Sequence, residues 1–366
     1  MLVVFRADAS IQIGTGHVMR CLTLADELTR QGHECWFICR EHPGHLGDLI
    51  ASNGHYLSLL PASTDTPPQQ NRSAADNYPS WLGVPWEEDA DQTLVAISPL
   101  NPDWLVVDHY ALDAQWEHTL SGAVDKIMVI DDLANRPHEC VLLLDQNLGR
   151  VASDYDGLLP AECLRLIGPR HALLRPDFAA LRAQSLSRRK TPELKRILIS
   201  LGGVDRTNVT GQVLKALAHS SLPASTELDI IMGASAPYLK AVRQQADHLP
   251  FKANVSVNVF DIAERMCEAD LAIGAAGSTS WERCCLGVPT ILLAIADNQN
   301  MVNQALIAQG AAVELKIKSL KSSGGRVISD ALKKIFGNWA EMIEMASTVT
   351  DGRGCMKVIS YLEEKK

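Results

Sequence analysis

This sequence has no dense block of lysine and arginine, and its acidic side chains outnumber its basic ones to leave a formal charge of −9. A polyanion needs a basic footprint, so a nucleic-acid partner is not expected; a small nucleotide needs only local donors. No pair of C-x-x-C units exists to suggest zinc. The nine cysteines are an odd number, and Cys284 and Cys285 are adjacent. Reduced thiols in a cytoplasmic protein fit that usage, with Cys35 and Cys39 read as core. No apolar run reaches membrane-spanning length, so no membrane partner is expected. Arg6 and Asp8 interrupt what would have to be the apolar core of a signal peptide, which argues against export. No repeat of solenoid length recurs.

What is present is a long alternation. At 366 residues the chain is long for one core, so two domains are expected. The first half carries the apolar runs "VVF", "CWFIC", "WLVVDHY", "KIMVIDD" and "VLLLDQ". The second carries "RILISLGG", "LDIIMG", "VSVNVF", "LAIGAAG" and "TILLAIA", each run followed by a helical pattern. This predicts an α/β fold of two Rossmann-like, doubly wound domains facing across a cleft. The polar, basic stretch "RAQSLSRRKTPELKR" reads as a linker at 183–193, between a first domain at 1–182 and a second at 194–350, with a tail at 351–366. A stretch rich in Pro, Ser and Asp near 61–93 reads as a surface insertion. Ligands of such sheets sit beyond the carboxyl ends of the strands.

The residues at those ends have suitable chemistry. In "RADASIQIGTGHVMRC" a strand, a glycine loop and a helix follow one another. Gly14 and Gly16 allow a tight turn beside Thr15, and the helix opening at His17 points N–H groups at an anion. The dinucleotide fingerprint wants a third small residue where Met19 stands, so a nicotinamide cofactor is not expected. His17, at the positive end of the helix, is read either as a neutral base or as a capping or packing histidine. "ILISLGGVDRTN" offers Gly202, Gly203 and Asn208 ahead of a helix as a second anion cradle. "LAIGAAGSTSWERCC" offers Gly274 and Gly277 for a turn, Ser278 and Thr279 hydroxyls for phosphate oxygens, and Glu282 one turn into the helix. Glu282 could accept ribose hydroxyls or simply complement the helix dipole. Asp297, Asn298 and Gln299 suit sugar hydroxyls and acetamido groups or a helix cap. Arg6, Asp8, Asp108, His109 and Tyr110 stand at strand ends of the first domain. Asp131 and Asp132 look like a metal pair, but no further ligand stands at metal spacing, so no metal is expected. A buried aspartate that caps a loop or orients a histidine is the preferred reading.

Those motifs in that order, with "GPRHALLRPDF" and "ADNQ", resemble the UDP-2,4-diacetamido-2,4,6-trideoxy-β-L-altropyranose hydrolases of pseudaminic acid biosynthesis. The resemblance runs from residue 1 to about residue 315. That family is similar to the peptidoglycan N-acetylglucosaminyltransferase and its glycosyltransferase-B fold. The resemblance implies a hydrolase that releases UDP by water attack at the anomeric carbon with inversion, without a cofactor, with His17 as the base. It implies that Gly202, Gly203, Ser278, Thr279 and Glu282 hold UDP, with Asn208, Gly274 and Gly277 beside them. Gly14, Thr15, Gly16, Arg6, Asp8, Asp108, His109, Tyr110, Asn298 and Gln299 are assigned to the sugar pocket. Ala276 stands where the family usually has glycine. A glycosyltransferase of the same fold and a non-catalytic sugar-nucleotide-binding protein are the competing readings.

Overall fold

A computed structural model describes residues 1–62, 74–295 and 299–364, without the side chains of 74–77 and 322. The chain divides into two compact units. One comprises Met1–Leu173 together with the chain from Gly354 onward, the other Leu174–Arg353.

The first unit holds β1 (Leu2–Ala7), β2 (Glu34–Arg40), β3 (Tyr56–Leu60), β4 (Trp104–Asp108), β5 (Lys126–Ile130), β6 (Leu142–Asp145) and β7 (Leu164–Ile167). They form a parallel sheet in the order β3-β2-β1-β4-β5-β6-β7. Short apolar runs such as "LVVF" become strands because both faces are covered by helices. β1 pairs with β2 on one side and with β4 on the other, with Ala7 opposite Asp108. The strand order reverses there, at the position where open α/β sheets bind ligands.

The second unit holds β8 (Arg196–Ser200), β9 (Glu227–Met232), β10 (Lys252–Val257), β11 (Leu271–Ala275), β12 (Thr290–Leu293) and β13 (Val313–Glu314). Their order is β10-β9-β8-β11-β12-β13, also parallel, with the reversal between β8 and β11. Two doubly wound α/β units are therefore present. Among the described residues no helix is long and apolar enough to cross a membrane, and all nine cysteines are buried and free.

Three boundaries differ from the sequence expectation. The stretch read as a linker at 183–193 begins inside the helix Pro176–Arg188, which belongs to the second unit. Its arginines serve buried carbonyls rather than solvent: Arg182 donates to Ser347 O at 2.7 Å, and the buried Arg189 donates to Met266 O and Ala269 O, both at 2.7 Å. The expected tail at 351–366 contains the helix Gly354–Glu364, whose Cys355, Val358, Ile359 and Leu362 join the core of the first unit. Trp104 Nε1 donates to Leu362 O at 3.2 Å. The insertion near 61–93 lies partly outside the described residues, and from Trp86 it is the crossover helix Trp86–Ile97. Its acidic run looked like surface, but Asp89 is fully buried against Arg6 and Arg40.

Candidate active site

The loop after β1 is closed by its own short side chain. Ser10 Oγ accepts from Gln12 N and Ile13 N at 3.0 and 2.8 Å, and Gly14 N donates to Ser10 O at 2.8 Å. Gly14 has φ +87°, which a side chain would strain. The helix Gly16–Arg30 then begins without a side-chain cap at Thr15. Gly14, Thr15 and Gly16 form a partly open rim, and His17 turns inward.

The His17 side chain meets the end of β4. Its Nδ1 lies 2.6 Å from Asp108 Oδ1. Arg20, three residues on and on the same helix face, clamps the same carboxylate with Nε to Oδ2 at 2.6 Å and Nη2 to Oδ1 at 2.7 Å. Arg20 Nη1 continues to Asp132 Oδ2 at 2.8 Å, where Tyr110 OH also donates at 2.8 Å. Burial alone would raise the Asp108 carboxyl, but Arg20 and His17 outweigh it and hold the group well below the usual carboxylate range. Burial and then Asp132 push the Tyr110 phenol well up, so it stays a donor. An ionised carboxylate can only accept, so the neutral imidazole carries its hydrogen on Nδ1. Nε2 is then a bare lone pair, without a partner among the described residues. Asp108 also supports the positive charge that forms when Nε2 takes a proton, the orienting logic of a histidine–carboxylate pair.

Three other expected sugar contacts lie beneath this pair. Arg6 and Asp8 are fully buried. Arg6 donates to Asp8 Oδ1 at 2.7 Å and, through Nη2, to Asp89 Oδ2 at 2.6 Å, where Arg40 Nη2 also donates. Their charges hold the loop's floor instead of facing outward. His109 is buried too; its Nδ1 accepts from Ala111 N at 3.1 Å, and burial pushes its pKa down. Asp131 and Asp132 diverge. Asp131 accepts from Ala134 N and Arg136 at 2.7 Å each, while Asp132 joins Arg20 and Tyr110. Each is engaged by its own donors instead of sharing a cation. Arg20 is the site residue that sequence reasoning missed; its i+3 spacing from His17 was the available signal.

In the second unit the expected cradle at Gly202–Asn208 is occupied by the chain itself. Gly202 has φ +93°, and Gly203 O accepts from Gly233 N at 3.0 Å. Asp205 receives Val209 N and Thr210 N at 2.8 Å each, and Asn208 Oδ1 receives Gly211 N at 3.0 Å. The N–H groups of Val209, Thr210 and Gly211 at the start of the helix Val209–Ala218 thus already face a carboxylate and an amide.

The loop after β11 is built differently. Arg283 is buried under it and donates to Ala275 O at 2.6 Å, Ser280 Oγ at 3.0 Å and Thr279 Oγ1 at 3.1 Å. A Cβ on Gly274 would collide with that hydrogen-bonded guanidinium, which favours glycine there. Because Thr279 Oγ1 accepts from Arg283, its own hydrogen is left to donate outward. Ser278 is exposed and caps nothing. Ala276 is buried and is not among the non-glycine residues with positive φ, so the methyl group costs no backbone strain. Glu282 is partly buried, and its side chain makes no hydrogen bond or ion pair among the described residues; burial pushes its carboxyl up to about 7 against the pull of Arg175 and Arg283. Gln299 Oε1 accepts from Ile295 N at 3.0 Å, and its amide nitrogen is the nearest side-chain atom to a Cβ built on Gly277, at 3.9 Å. Asn298 and Asp297 lie outside the described residues.

The fold is that of the glycosyltransferase-B class. A crystal structure of MurG from Acinetobacter baumannii matches 99% of this chain and 99% of its own with a TM-score of 0.64 at 16% identity. The spinosyn rhamnosyltransferase SpnG complexed with thymidine diphosphate matches 98% of this chain and 99% of its own, with a TM-score of 0.63 at 16% identity. In sequence, the chain is similar to the UDP-2,4-diacetamido-2,4,6-trideoxy-β-L-altropyranose hydrolase of Campylobacter jejuni. The two are 27% identical over 321 residues, covering 86% of this chain and 100% of that one. No family model matches the chain.

Proposed function

We infer that this protein is a UDP-sugar-processing enzyme, and that its reaction is hydrolysis: release of UDP from UDP-2,4-diacetamido-2,4,6-trideoxy-β-L-altropyranose. The similarity to the Campylobacter hydrolase along its whole length supports the substrate class. The observation that carries the reaction is His17, fixed through Nδ1 on Asp108 with Nε2 unpartnered. Nε2 takes a proton from water as the water oxygen bonds to the anomeric carbon. The bond from that carbon to the β-phosphate oxygen breaks, and its electron pair leaves with UDP. A single displacement inverts the anomeric centre. UDP is a good leaving group and needs charge stabilisation more than a strong acid; the outward hydroxyls of Ser278 and Thr279 supply donors for it. Glu282, whose carboxyl is unpartnered in the helix Thr279–Cys285, is suited to accept the ribose hydroxyls. Tyr110 borders His17, with ring centroids 4.6 Å apart.

Proton and phosphorus NMR of the purified protein with this UDP-sugar tests the reading. UDP appears without any acceptor alcohol, and the first anomer formed is the inverted one. UDP release that waits for an added acceptor sugar establishes a glycosyltransferase instead. Binding without release establishes a sugar-nucleotide-binding protein.

A further inference from the structure

The segment between β3 and β4 carries more chain than the crossover needs, since the helix Trp86–Ile97 already makes that connection. Ahead of it lies a 3-10 helix, Ala74–Trp81, which adds no strand to the sheet. Leu82 anchors this segment in the core with 1% exposure. Trp81 remains partly exposed and goes elsewhere. Its ring stacks on Tyr110 with centroids 5.6 Å apart and planes at 24°. Tyr78 meets both rings edge-on, at 4.8 Å from Trp81 and 5.0 Å from Tyr110. The His17 imidazole stands edge-on to Tyr110 at 4.6 Å and to Trp81 at 6.3 Å, and His17 keeps only 8% of its surface exposed. This segment, which adds no strand to the sheet, brings a partly exposed tryptophan to the wall beside the His17 imidazole.

We propose that Trp81 is a specificity-determining residue that restricts the nucleophile at His17 to water. The inference rests on the hydrolase reading. An alcohol that attacks through its oxygen must also place its carbon chain beside the His17 imidazole, which the Tyr110 and Trp81 rings border, with Tyr78 packed on both rings. A water molecule takes up about 30 Å³ and brings no chain. Bond changes are the same for either nucleophile: the oxygen–carbon bond forms, the carbon–phosphate oxygen bond breaks, and Nε2 takes the proton. Only the space beside the attacking oxygen differs.

The test is a competition. Wild type, Trp81→Phe and Trp81→Ala are each given the UDP-sugar in buffer containing methanol and, separately, glycerol. The ratio of methyl or glyceryl glycoside to free sugar is read by NMR or mass spectrometry. That ratio is independent of how much of each variant is folded. Wild type is expected to give free sugar with little methyl and no glyceryl product. Trp81→Ala is expected to raise the methyl ratio several-fold and to yield glyceryl glycoside, with Trp81→Phe between the two. Equal ratios in all three proteins overturn the proposal. So does a loss of all turnover in both variants with UDP binding kept, because Trp81 is then part of the chemistry and not a size filter. Failure of the wild type to release UDP is a separate result and removes the hydrolase reading itself.

Discussion

The roles proposed for His17 and Glu282 can each be tested alone. Removing a general base costs roughly 10²–10⁴-fold in rate, so His17→Ala is expected to lose turnover by that order while titration calorimetry finds UDP affinity unchanged. Asp108→Asn is expected to lower kcat with little effect on KM, because it orients the base without touching the nucleotide. Wild-type turnover in His17→Ala excludes it as the base. Glu282 has a carboxyl raised by burial from 4.5 to about 7. A carboxyl with a raised folded pKa favours the fold below its unfolded pKa, and that contribution is lost as pH rises from 4.5 to about 7. Binding runs the other way, because only the carboxylate accepts two ribose hydroxyls. UDP affinity is therefore expected to rise with pH and level off above about 7, and Glu282→Gln to flatten both curves. Glu282→Ala should weaken UDP by about 1.5–3 kcal/mol, roughly tenfold to a hundredfold, and leave 2′,3′-dideoxy-UDP almost unaffected. Equal weakening of the two nucleotides reduces Glu282 to a helix-dipole residue. At this scale the sequence showed which residue types stand at the strand ends but not which way they face. His17 was legible because a glycine loop and a helix start frame it. Arg6 and Asp8 had the same credentials and turned inward, because Asp89, distant in sequence, and Arg40 complete their charge pairs.

Helix starts looked alike in the sequence and proved to be of two kinds. Both sheets turn into a helix through glycines near hydroxyl and amide residues. Before Val209–Ala218 the aspartate four residues upstream fills the terminus, whereas the loop before Thr279–Cys285 is propped from below by Arg283. Asp205→Ala is expected to destabilise the protein by about 0.5–2 kcal/mol, because its two hydrogen bonds to the first helix N–H groups are lost, with UDP affinity unchanged. A thermal melt and a UDP titration on this variant check both halves; tighter UDP binding would mean that Asp205 had been competing with phosphate. Strands were legible because short apolar runs have one use in a two-faced parallel sheet. Polar, arginine-rich stretches were not, since the same composition suits a solvated linker and a helix whose guanidinium groups reach buried carbonyls, as Arg182 and Arg189 do.

The whole molecule is two doubly wound units threaded by one chain that leaves the first at Leu173 and re-enters it at Gly354. The alternation of strands and helices announced both units. The return did not show, because "CMKVISYLEE" is a short amphipathic helix with nothing in it to say which sheet it covers. A chain cut after Arg353 is expected to lose hydrogen-exchange protection across residues 1–173 while 174–353 stay protected, since Cys355, Val358, Ile359 and Leu362 leave the first core only. Full protection of both units in the shortened chain would make the helix an ornament.

That threading also sets a schedule for synthesis. Residues 1–173 leave the ribosome long before the helix that closes their core, and every residue of the second unit is translated in between. Domains that emerge early usually fold early, but here the early one lacks, until Gly354 onward is made, the helix that packs on Gly16–Arg30 and the turn Pro169–His171. The second unit, continuous in sequence, can be finished first. A translation stall between the two would leave the first unit unsealed and the second complete, so the uncovered core is the surface that a chaperone would need to cover in the interval.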